Sequence, residues 1–550
     1  MQKERKTVSL ISAVFLIVTC CIFVPSNLFL GNVDEFKINY IDIVPVIGCI
    51  SLIAAVLCLV LFFLFYRINN LYITVVFGIA LGCYLQSNFL NPDLGSLDGT
   101  EIDWSLYRTS AVIGMIIWAL CIAGTGVLLL VRWKYSLTIL KAAGLFLTAV
   151  QVVTLIVLIL SAKKSSAHAI VVTKDDEFVL SREKNTVVFV LDTMDAQWFE
   201  SVILSDKEYS DKLNGFTYYS NVVAGGAPTI LGMPALLTGR TFHPDRESRE
   251  DYFQRAFEES TLFRDLDKEE VAVKLYTTTE FLDYADLENV KNIKPGKYKV
   301  SSYYKFMKSL SKLILFNVSP LPMKKRFLIY TGDLTNRVIV DDKNHEGYLI
   351  DDPQFYSDLM EKGVEAGNEK KMLCLYHLFG AHGYYTMNED SQRVAETRTP
   401  EGREKQIKGA FHIVFRFIDQ MKEAGLYDDC TFVITGDHGG VALYQNPMVL
   451  VKKPHSGEEA LTVDDKEATL KSVRASIAAS LLEEYEKEEY GETLEEDGRS
   501  IGERHHTCDN KLLKNVFPDI KAPGKYTEMV IHGSARDNEG ISLLSETEKE

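Results

Sequence analysis

The sequence predicts two parts, an N-terminal bundle of five transmembrane helices and an extracellular α/β domain whose mainly parallel sheet lies between helix layers. Three observations lead to this prediction. Residues 1–161 are mostly apolar and fall into five runs. Beyond them, short continuously apolar runs alternate with amphipathic segments, which is typical of parallel strands covered by helices on both faces. Basic residues are concentrated in alternate loops between the apolar runs, which gives the bundle an orientation.

Composition excludes several classes of protein. With 550 residues the chain is too long for one ordinary domain. The net charge of −16 argues against a nucleic-acid partner, because binding a phosphate backbone needs basic surface. The nine cysteines include no CxxC motif and six of them lie in the apolar runs. Neither a disulfide scaffold nor a thiolate metal site is therefore predicted.

Each apolar run has about the length that crosses a bilayer, roughly 20 residues. The runs are Val8–Leu30, Ile43–Phe65, Leu71–Leu90, Ala111–Val131 and Ala142–Ser161. The first run could also be a signal peptide, but no small-residue cleavage site follows it and four more runs do. We therefore predict that residues 1–161 form an integral transmembrane domain with five helices.

The charges of the loops orient this bundle. Basic residues on one side are Lys3, Arg5, Lys6, Arg67, Arg132, Lys134 and Lys141. The loops on the other side carry Asp34, Glu35, Asp93, Asp98, Glu101 and Asp103, with Lys37 and Arg108 as their only basic residues. Because basic loops stay in the cytoplasm, we predict a multi-pass protein of the cell membrane with a cytoplasmic N-terminus. Five crossings then place everything after Ser161 outside the cell.

The pattern after the last run is that of a globular domain. We predict a polar linker over 162–184, one α/β domain over 185–535 and a disordered acidic tail over 536–550. The predicted strands are Thr186–Leu191, Val271–Tyr276, Met372–Leu378, Thr431–Thr435 and Met448–Val451. The predicted helices are Asp251–Leu266, Pro353–Ala366, Arg403–Ala424 and Lys466–Tyr485. This alternation predicts the mainly parallel sheet.

A glycine-rich turn places a hydroxyl at the start of a helix. Residues 221–240 read Asn-Val-Val-Ala-Gly-Gly-Ala-Pro-Thr-Ile-Leu-Gly-Met-Pro-Ala-Leu-Leu-Thr-Gly-Arg, and Thr229 lies where the turn gives way to the helix. Free backbone N–H groups and the positive end of the helix dipole favour an anion there. Thr229 could simply cap the helix. The two roles are compatible, because a metal bound to the hydroxyl would lower its pKa and make it nucleophilic.

Two predicted strands end in groups that bind metals. The strand at 186–191 runs into Asp192, and the strand at 431–435 runs into Gly-Asp437-His438-Gly-Gly. Ligands of an open α/β sheet bind beyond the carboxyl ends of its strands, and Asp with His suits Zn²⁺ or Mn²⁺. A lone strand-end Asp is more often a cap or a turn former, and the histidine could be merely solvated. The glycines favour the metal interpretation, because they let the backbone bring both side chains to one point.

Two histidines follow a third predicted strand. His377 and His382 lie on either side of Gly380. A histidine there could donate to a phosphate oxygen or protonate a leaving group. A structural role fits His377 better, because His377 is still within the apolar run whereas His382 falls in the loop beyond it.

In this order and context, these residues resemble the alkaline phosphatase/sulfatase superfamily. The residues that carry the resemblance are Asp192, the Thr229–Arg240 segment, His382 and Asp437-His438. Over essentially the whole chain, the sequence is similar to the membrane-anchored lipoteichoic acid synthases and related phosphoglycerol or phosphoethanolamine transferases. Those proteins likewise join a set of membrane spans to an extracellular catalytic domain. The resemblance implies an alkaline-phosphatase-like fold with a sulfatase-type domain.

The resemblance also implies roles for individual residues. One divalent metal ion, Mn²⁺ or Zn²⁺, is expected on a set of four residues, Asp192, Thr229, Asp437 and His438. Thr229 is the expected nucleophile. The residues expected to contact the substrate are His382, His377 and Arg240. The further Asp/His set that two-metal phosphatases need is not found near His377–His382, so one metal is expected.

At two positions the chain differs from the patterns of these families, and the differences restrict what the resemblance implies. Lipoteichoic acid synthases have Glu at the first ligand position, whereas this chain has Asp192, the residue that sulfatases and phosphatases use. Sulfatases carry Cys or Ser followed by Pro-Ser-Arg at the nucleophile and mature it to formylglycine. Thr229 falls at that position, and threonine cannot yield the aldehyde. Hydrolysis of sulfate esters by the usual route is therefore disfavoured.

The function implied by the resemblance is transfer of a phospho-head group. Phosphoglycerol or phosphoethanolamine would pass from a membrane phospholipid to a cell-surface glycan or teichoic-type acceptor through a phospho-threonine intermediate. One alternative is a membrane-anchored hydrolase of phosphate esters or, less readily, sulfate esters. Another is a domain that only binds a glycan or partner, which the intact set of metal and nucleophile residues disfavours. Transferase and hydrolase differ only in what attacks the intermediate.

Overall fold

The computed structural model describes most of the chain in two units. The described residues are 2–36, 38–92, 94, 104–131, 135–162, 169–285, 287–329, 332–335, 337–340, 347–441, 443–457, 459–496, 501–516, 525–536 and 540–544. One unit comprises Met1–Ala167 with Lys297–Asp341, and the other comprises His168–Gly296 with Asp342–Glu550. Each unit has its own core and is described by itself.

The first unit contains the five apolar helices that the sequence predicts. They are long and apolar enough to cross a membrane and are numbered here span 1 to span 5: Gln2–Leu30, Tyr40–Leu64, Asn69–Leu90, Trp104–Leu130 and Ser136–Ser161. Small residues let the helices approach closely. A Cβ atom on Gly78 of span 3 would lie 2.8 Å from the Cα of Ile122 in span 4. Close backbone contact of this kind replaces the hydrophobic effect, which does not drive helix association within lipid.

The chain returns to this first unit long after the last span. Strands Tyr298–Val300 and Val338–Val340 pair antiparallel, and helices Tyr303–Val318 and Leu321–Lys324 lie between them. The apolar face of the longer helix shares a core with the spans through Phe306, Phe29 and Ile43. We predicted a single domain over 185–535, and the structure differs in this segment. Periodicity shows that a helix has an apolar face but not which core that face joins.

The second unit is built on a seven-stranded sheet. In spatial order its strands are Thr462–Asp464, Phe216–Tyr219, Val449–Lys452, Thr431–Thr435, Lys184–Leu191, Lys371–Leu378 and Val271–Tyr276. The last four of these strands run parallel to one another, which confirms the predicted mainly parallel sheet. Val449–Lys452 is antiparallel to both neighbours. It follows its partner through a loop instead of a crossover helix, and parallel pairing would need the crossover.

Helices cover both faces of this sheet. The longer ones are Thr229–Thr238, Arg249–Glu259, Leu262–Lys268, Asp352–Lys362, Pro400–Glu423 and Leu470–Leu481. On one face, Phe417 packs against Phe189 with ring centroids 5.1 Å apart. On the other face, the Ser480 and Thr186 hydroxyls hydrogen-bond at 2.7 Å. Burial on both faces explains why the central strands are apolar without alternation.

Several boundaries differ from the predicted ones. Within the predicted linker 162–184, Ile170–Val172 and Val179–Leu180 form strands, whereas 163–168 lie outside the described residues. Within the predicted tail 536–550, Ile541–Leu543 pairs with Tyr526–Ile531, and 537–539 and 545–550 are not described. The predicted helix Asp251–Leu266 is two helices that break at Ser260. Strands of two or three residues are too short to show periodicity. The polar composition of the segments around them therefore led to the prediction of a linker and a tail.

A smaller sheet completes the second unit. Its strands are Gly226–Ala227, Arg504–Asp509, Tyr526–Ile531 and Ile541–Leu543. The first of these strands ends two residues before Thr229, so the sheet fixes the approach of the chain to that residue.

Glu177 is a buried carboxylate in the second unit. Its side chain is 1% exposed, and Lys362 Nζ lies 3.5 Å from Oε2. Neither carboxylate oxygen accepts a hydrogen bond from the described residues. Burial raises the pKa of Glu177 to about 7, although Lys174 and Lys362 oppose the shift.

Replacing Glu177 with glutamine should stabilise the protein in alkaline solution. The folded pKa lies above the unfolded one, so ionisation costs stability progressively as the pH rises from about 4.5 to about 7. Between pH 5 and pH 8, we expect the unfolding free energy of Glu177→Gln to increase relative to that of wild type by up to about 3 kcal/mol. Unfolding of the full-length protein in detergent at pH 5 and pH 8 measures this difference. Glu183→Gln, an exposed control, should show no such trend, and an equal trend in both variants would contradict the assignment.

Candidate active site

Three side chains converge at the carboxyl ends of two neighbouring parallel strands. Asp192 follows Lys184–Leu191, and Asp437 with His438 follows Thr431–Thr435. One ligand atom from each of the three side chains lies within 4.8 Å of the others, and all three residues are buried. We call these three residues the metal cluster. Their meeting at this edge of the sheet agrees with the position that ligands take in open α/β folds.

The imidazole of His438 is oriented as a metal ligand. Its Nδ1 lies 2.7 Å from the Gly439 carbonyl oxygen, so Nδ1–H donates to that oxygen and the lone pair is left on Nε2. Nε2 lies 3.6 Å from Asp437 Oδ2 and 3.9 Å from Asp192 Oδ1. A lone pair and two carboxylates therefore face one small space.

The donor set fits one divalent cation. Asp437 is fully buried, and its Oδ2 has no hydrogen-bond partner among the described residues. An unpartnered buried carboxylate oxygen is costly unless a cation neutralises it. Carboxylate oxygen with imidazole nitrogen suits Zn²⁺ or Mn²⁺. The residues present therefore fit the single metal that the sequence predicted.

Electrostatics distinguish the two carboxylates. Burial, and then the neighbouring charge of Asp437, raise the pKa of Asp192. Burial acts on Asp437 in the same direction, but the neighbouring imidazoles of His438 and His377 and the hydrogen bond from the Thr193 amide outweigh it and lower the pKa of Asp437. Two like charges at this separation need a shared positive partner to remain ionised together.

Thr193 ties the two carboxylates together, and the sequence did not identify it. Its amide donates to Asp437 Oδ1 at 3.0 Å, and its hydroxyl donates to Asp192 Oδ1 at 2.6 Å. The residue adopts the left-handed conformation with φ 59°. That conformation costs a non-glycine residue roughly 1–2 kcal/mol. No feature of the sequence marks this backbone conformation.

Asp195 holds the turn that carries His438. Its carboxylate accepts hydrogen bonds from the amides of Gln197, Gly440 and Val441 at 2.8, 3.0 and 3.1 Å. It is also the N-cap residue of a short helix. The role of helix cap that a strand-end aspartate often has thus belongs to Asp195 rather than to Asp192.

Two glycines allow this close packing of backbone. A Cβ atom on Gly439 would lie 2.5 Å from Asp195 Oδ2, and one on Gly232 would lie 2.4 Å from the Asp437 carbonyl oxygen. Gly232 lies in the helix Thr229–Thr238. Its missing side chain therefore lets the helix that begins at Thr229 approach the strand end that carries Asp437.

The Thr229 hydroxyl faces the metal cluster. Thr229 Oγ1 donates to Asp192 Oδ2 at 3.2 Å and lies 3.5 Å from His438 Nε2. Thr229 is the first residue of its helix, and the N-cap position is held by Pro228, which makes no side-chain capping bond. The hydroxyl therefore hydrogen-bonds to the carboxylate and not to the end of the helix. The side chain is half-buried, so it is open to a substrate.

His377 lies beside the metal cluster in the structure. It is fully buried, its Nδ1 is 2.9 Å from Thr277 Oγ1, and its Nε2 is 3.9 Å from Asp192 Oδ2. That Nε2 has no hydrogen-bond partner among the described residues. Burial lowers the pKa of His377, which favours the neutral imidazole. His377 thus bonds to Thr277 on one side and faces the metal cluster on the other, so its place in the strand does not exclude a contact with substrate.

His382 and Arg240 occupy different surroundings. His382 is exposed, and its ring packs on Phe379 with centroids 4.8 Å apart. Arg240 follows the other end of the helix that begins at Thr229, and its Nε lies 3.3 Å from Glu259 Oε2. No contact among the described residues joins Arg240 to the metal cluster. His382 is thus exposed in the loop beyond its strand, and Arg240 lies in an ion pair.

Asp352 positions the loop between the two histidines and was also missed. Its carboxylate accepts the Phe379 amide at 2.6 Å and the Gly380 amide at 3.0 Å. Asp352 is the first residue of the helix Asp352–Lys362, so the sequence pattern suggested only a helix start. Its contact with residues 27 and 28 positions later cannot be seen in a local pattern.

A family model of known proteins matches the part of the chain that contains these site residues. The sulfatase family model matches residues 184–464, about half of the chain, including the metal cluster and Thr229. A search of curated protein sequences returns no match. Solved structures that are similar over long stretches include an integral membrane transferase, a synthase and a hydrolase.

Those three structures are distant. Lipooligosaccharide phosphoethanolamine transferase A of Neisseria meningitidis is 12% identical over 87% of this chain and 97% of its own, with a TM-score of 0.31. Lipoteichoic acid synthase LtaP of Listeria monocytogenes is 12% identical over 66% and 86%, with a TM-score of 0.34. A phosphonate monoester hydrolase of Silicibacter pomeroyi is 11% identical over 67% and 90%, with a TM-score of 0.37. At these values none of them assigns an activity to this chain.

Removing one carboxylate of the metal cluster should abolish metal binding. We expect the purified full-length protein to retain one equivalent of Mn²⁺ or Zn²⁺, and Asp437→Asn to lower the affinity at least about 100-fold. Metal analysis after dialysis, with titration calorimetry for the affinity, measures both quantities. Asp428→Asn removes an exposed carboxylate and should leave the metal content unchanged. Equal metal content in both variants would place the metal elsewhere.

Adding one methyl group at Gly232 should disturb the site without unfolding the protein. Gly232→Ala pushes the Thr229 helix away from the Asp437 carbonyl, so we expect metal affinity to fall about 10-fold or more. The matched control is Gly502→Ala, because a Cβ atom there meets nothing within 4 Å. Metal titration together with a thermal melt separates a local change from unfolding. Unchanged affinity in Gly232→Ala would show that the close approach is unnecessary.

Proposed function

Because the chain belongs to the sulfatase family, we propose that the metal cluster and Thr229 are the active site of a membrane-anchored phosphotransferase. It would move a phospho-head group, phosphoglycerol or phosphoethanolamine, from a membrane phospholipid to a cell-surface glycan or teichoic-type hydroxyl. One observation carries the proposal. A threonine hydroxyl, which cannot mature to formylglycine, donates to Asp192 Oδ2 at 3.2 Å beside a set of metal donors.

Asp192, Asp437 and His438 would hold the metal, and the Thr229 hydroxyl faces the same space. A divalent ion bound there supplies Lewis-acid charge to the hydroxyl and to the phosphoryl oxygens. Thr193 and Asp195 keep the two carboxylates and the imidazole in place before substrate arrives. Such preorganisation is the main way in which a protein stabilises charge that develops on a phosphoryl group.

The first step would form a phospho-threonine ester. Thr229 Oγ1 attacks the phosphorus, the new Oγ1–P bond forms and the P–O bond to diacylglycerol breaks. Asp192 Oδ2, which accepts the hydroxyl hydrogen bond, is placed to take the proton. Exposed His382 would give a proton to the departing diacylglycerol oxygen.

The second step would reverse these roles. An acceptor hydroxyl attacks the phosphorus, gives up its proton to His382 and takes the head group as the Oγ1–P bond breaks. Thr229 then recovers its proton from Asp192. The two histidines differ in exposure, because His377 is fully buried and His382 is open to solvent. We therefore assign the exchange of a proton with the incoming hydroxyl to His382.

The spans support a lipid donor. Five helices anchor the active site to the bilayer, which raises the effective concentration of a phospholipid over that of a soluble ester. The charges of the loops support an N-terminus in the cytoplasm and an active site outside the cell. An acceptor on the cell surface would then be within reach.

A phosphoester hydrolase is the second candidate. The observation in its favour is Asp192, since sulfatases and phosphatases use Asp at the first ligand position. Water would then take the place of the acceptor hydroxyl in the second step. The first step is the same in both candidates, so the fate of the head group distinguishes them.

Head-group labelling tests the proposal. Full-length protein is reconstituted with Mn²⁺ or Zn²⁺ in vesicles of phosphatidylglycerol or phosphatidylethanolamine labelled in the head group. We expect diacylglycerol release, with label on added glycan acceptor and, without acceptor, on Thr229 by peptide mass spectrometry. Thr229→Ala should lower turnover at least about 10³-fold. Thr462→Ala, an exposed control, should match wild type.

The outcomes separate the alternatives. Label that appears only as free head-group phosphate would favour the hydrolase. Consumption of neither lipid with either metal would contradict a lipid donor. Turnover that survives in Thr229→Ala would remove Thr229 from the nucleophile position.

A further inference from the structure

A basic stretch of the chain stands out against its acidic background. Residues 297–332 contain no Asp or Glu, in a chain with a net charge of −16. Their eight basic residues are Lys297, Lys299, Lys305, Lys308, Lys312, Lys324, Lys325 and Arg326. We call residues 297–332 the basic segment. It belongs to the unit that contains the five spans. Basic residues beside membrane spans attract anionic lipids.

The basic segment packs at one end of the spans. Helix Tyr303–Val318 shares a core with Phe29 near the end of span 1, Ile43 near the start of span 2 and Cys83 late in span 3. These positions lie at the end of the bundle opposite the N-terminus, because consecutive spans alternate in direction. Lys305, Lys308 and Lys312 on this helix are exposed.

An apolar groove lies beside the basic segment. It has a volume of about 350 Å³, and its lining residues are Ala111, Val112, Met115, Ile116, Ala119 and Pro322. The first five belong to span 4, from near its start to just past its middle, and Pro322 belongs to the short helix Leu321–Lys324. Val112 is 60% exposed and Ile116 is 56% exposed, so the groove is open at the surface of a membrane helix. A hydrocarbon chain is the apolar group available there.

Two exposed basic residues come shortly after the groove residue Pro322 in the sequence. Lys325 and Arg326 come three and four residues after Pro322 in the sequence, and both are exposed. Lys325 Nζ lies 5.6 Å from the centre of the Trp104 ring, and Trp104 begins span 4. Tryptophan at a span end is typical of the headgroup level of a bilayer. Lys325 therefore lies at the end of span 4 near the groove, at the depth of lipid phosphates, and Arg326 is the next residue in the chain.

Lys324 has a different role. It is buried, and its Nζ donates to the Phe316 and Asn317 carbonyl oxygens at the end of helix Tyr303–Val318. This contact fixes the short helix that carries Pro322 to the longer one. The short helix that lines the groove, and the two exposed cations that follow it, are thus attached to helix Tyr303–Val318.

We propose that this groove binds one acyl chain of an anionic glycerophospholipid whose phosphate is bound by Lys325 and Arg326. An apolar groove next to exposed cations matches the two chemical parts of such a lipid. A zwitterionic lipid would fill the groove but has no net charge for the cations. The proposal goes beyond the phosphotransfer reaction and requires only that the spans lie in a membrane.

Lipid retention by the full-length protein tests this site. The protein is delipidated in detergent and titrated with dioleoyl phosphatidylglycerol or dioleoyl phosphatidylethanolamine, and bound lipids are counted by native mass spectrometry. We expect wild type to prefer phosphatidylglycerol. Lys325→Gln/Arg326→Gln should weaken that binding about 10-fold or more and remove the preference. Lys3→Gln/Lys141→Gln, which removes two exposed cations at the opposite end of the spans, should leave it unchanged.

A second pair of variants tests the groove itself. Ala119→Phe fills the groove from an exposed position and should reduce retention of both lipids. Ala149→Phe makes the same change at an exposed position of span 5 and should not. Both alanines face outward, so neither variant is expected to unfold the bundle.

Several outcomes would overturn the proposal. These are equal retention of the two lipids by wild type, an equal loss in both charge variants, or unchanged retention in Ala119→Phe. A change in oligomeric mass without a change in bound lipid would assign the surface to a second copy of the chain. Thr229→Ala should retain lipid normally. Absence of transferase activity would therefore not affect this test.

Discussion

The repulsion between two buried carboxylates organises the second unit. Asp192 and Asp437 end neighbouring strands, so the sheet itself forces their charges together. Their surroundings compensate with the Thr193 amide and hydroxyl, which donate to Asp437 and Asp192. The compensation is incomplete, because Asp437 Oδ2 has no partner among the described residues. The negative charge of such a site is balanced only when a cation binds. Such a site is expected where function, rather than stability, determines which residues are present.

The sequence predicted the parts of this site that local chemistry reveals. Asp192, Asp437 and His438 stand at strand ends and Thr229 at a helix start, which are positions that a pattern shows. Thr193 and Asp352 were missed for a common reason. Each acts through backbone geometry or through a contact with distant residues, and neither property is encoded in a short window of sequence.

The same limit applies to the fold. The strands Val271–Tyr276 and Thr431–Thr435 were predicted with their observed bounds, because burial on both faces leaves a continuous apolar run. The edge strand Thr462–Asp464 was missed, since its side chains are largely exposed and carry no such run. The amphipathic helix Tyr303–Val318 has its apolar face in the core of the spans. Its pattern is the same whichever core it joins.

The return of the chain to its first unit has a consequence for synthesis. A ribosome completes the five spans at Ser161, but Phe306, Leu310 and Ile314, which cover Phe29 and Ile43, emerge only well over a hundred residues later. Until then the bundle exposes an apolar surface. The metal cluster is likewise incomplete until Asp437 has been synthesised, which is later still. Both units are therefore finished late and out of chain order, so a product truncated before Tyr303 would contain neither a complete bundle nor a metal site.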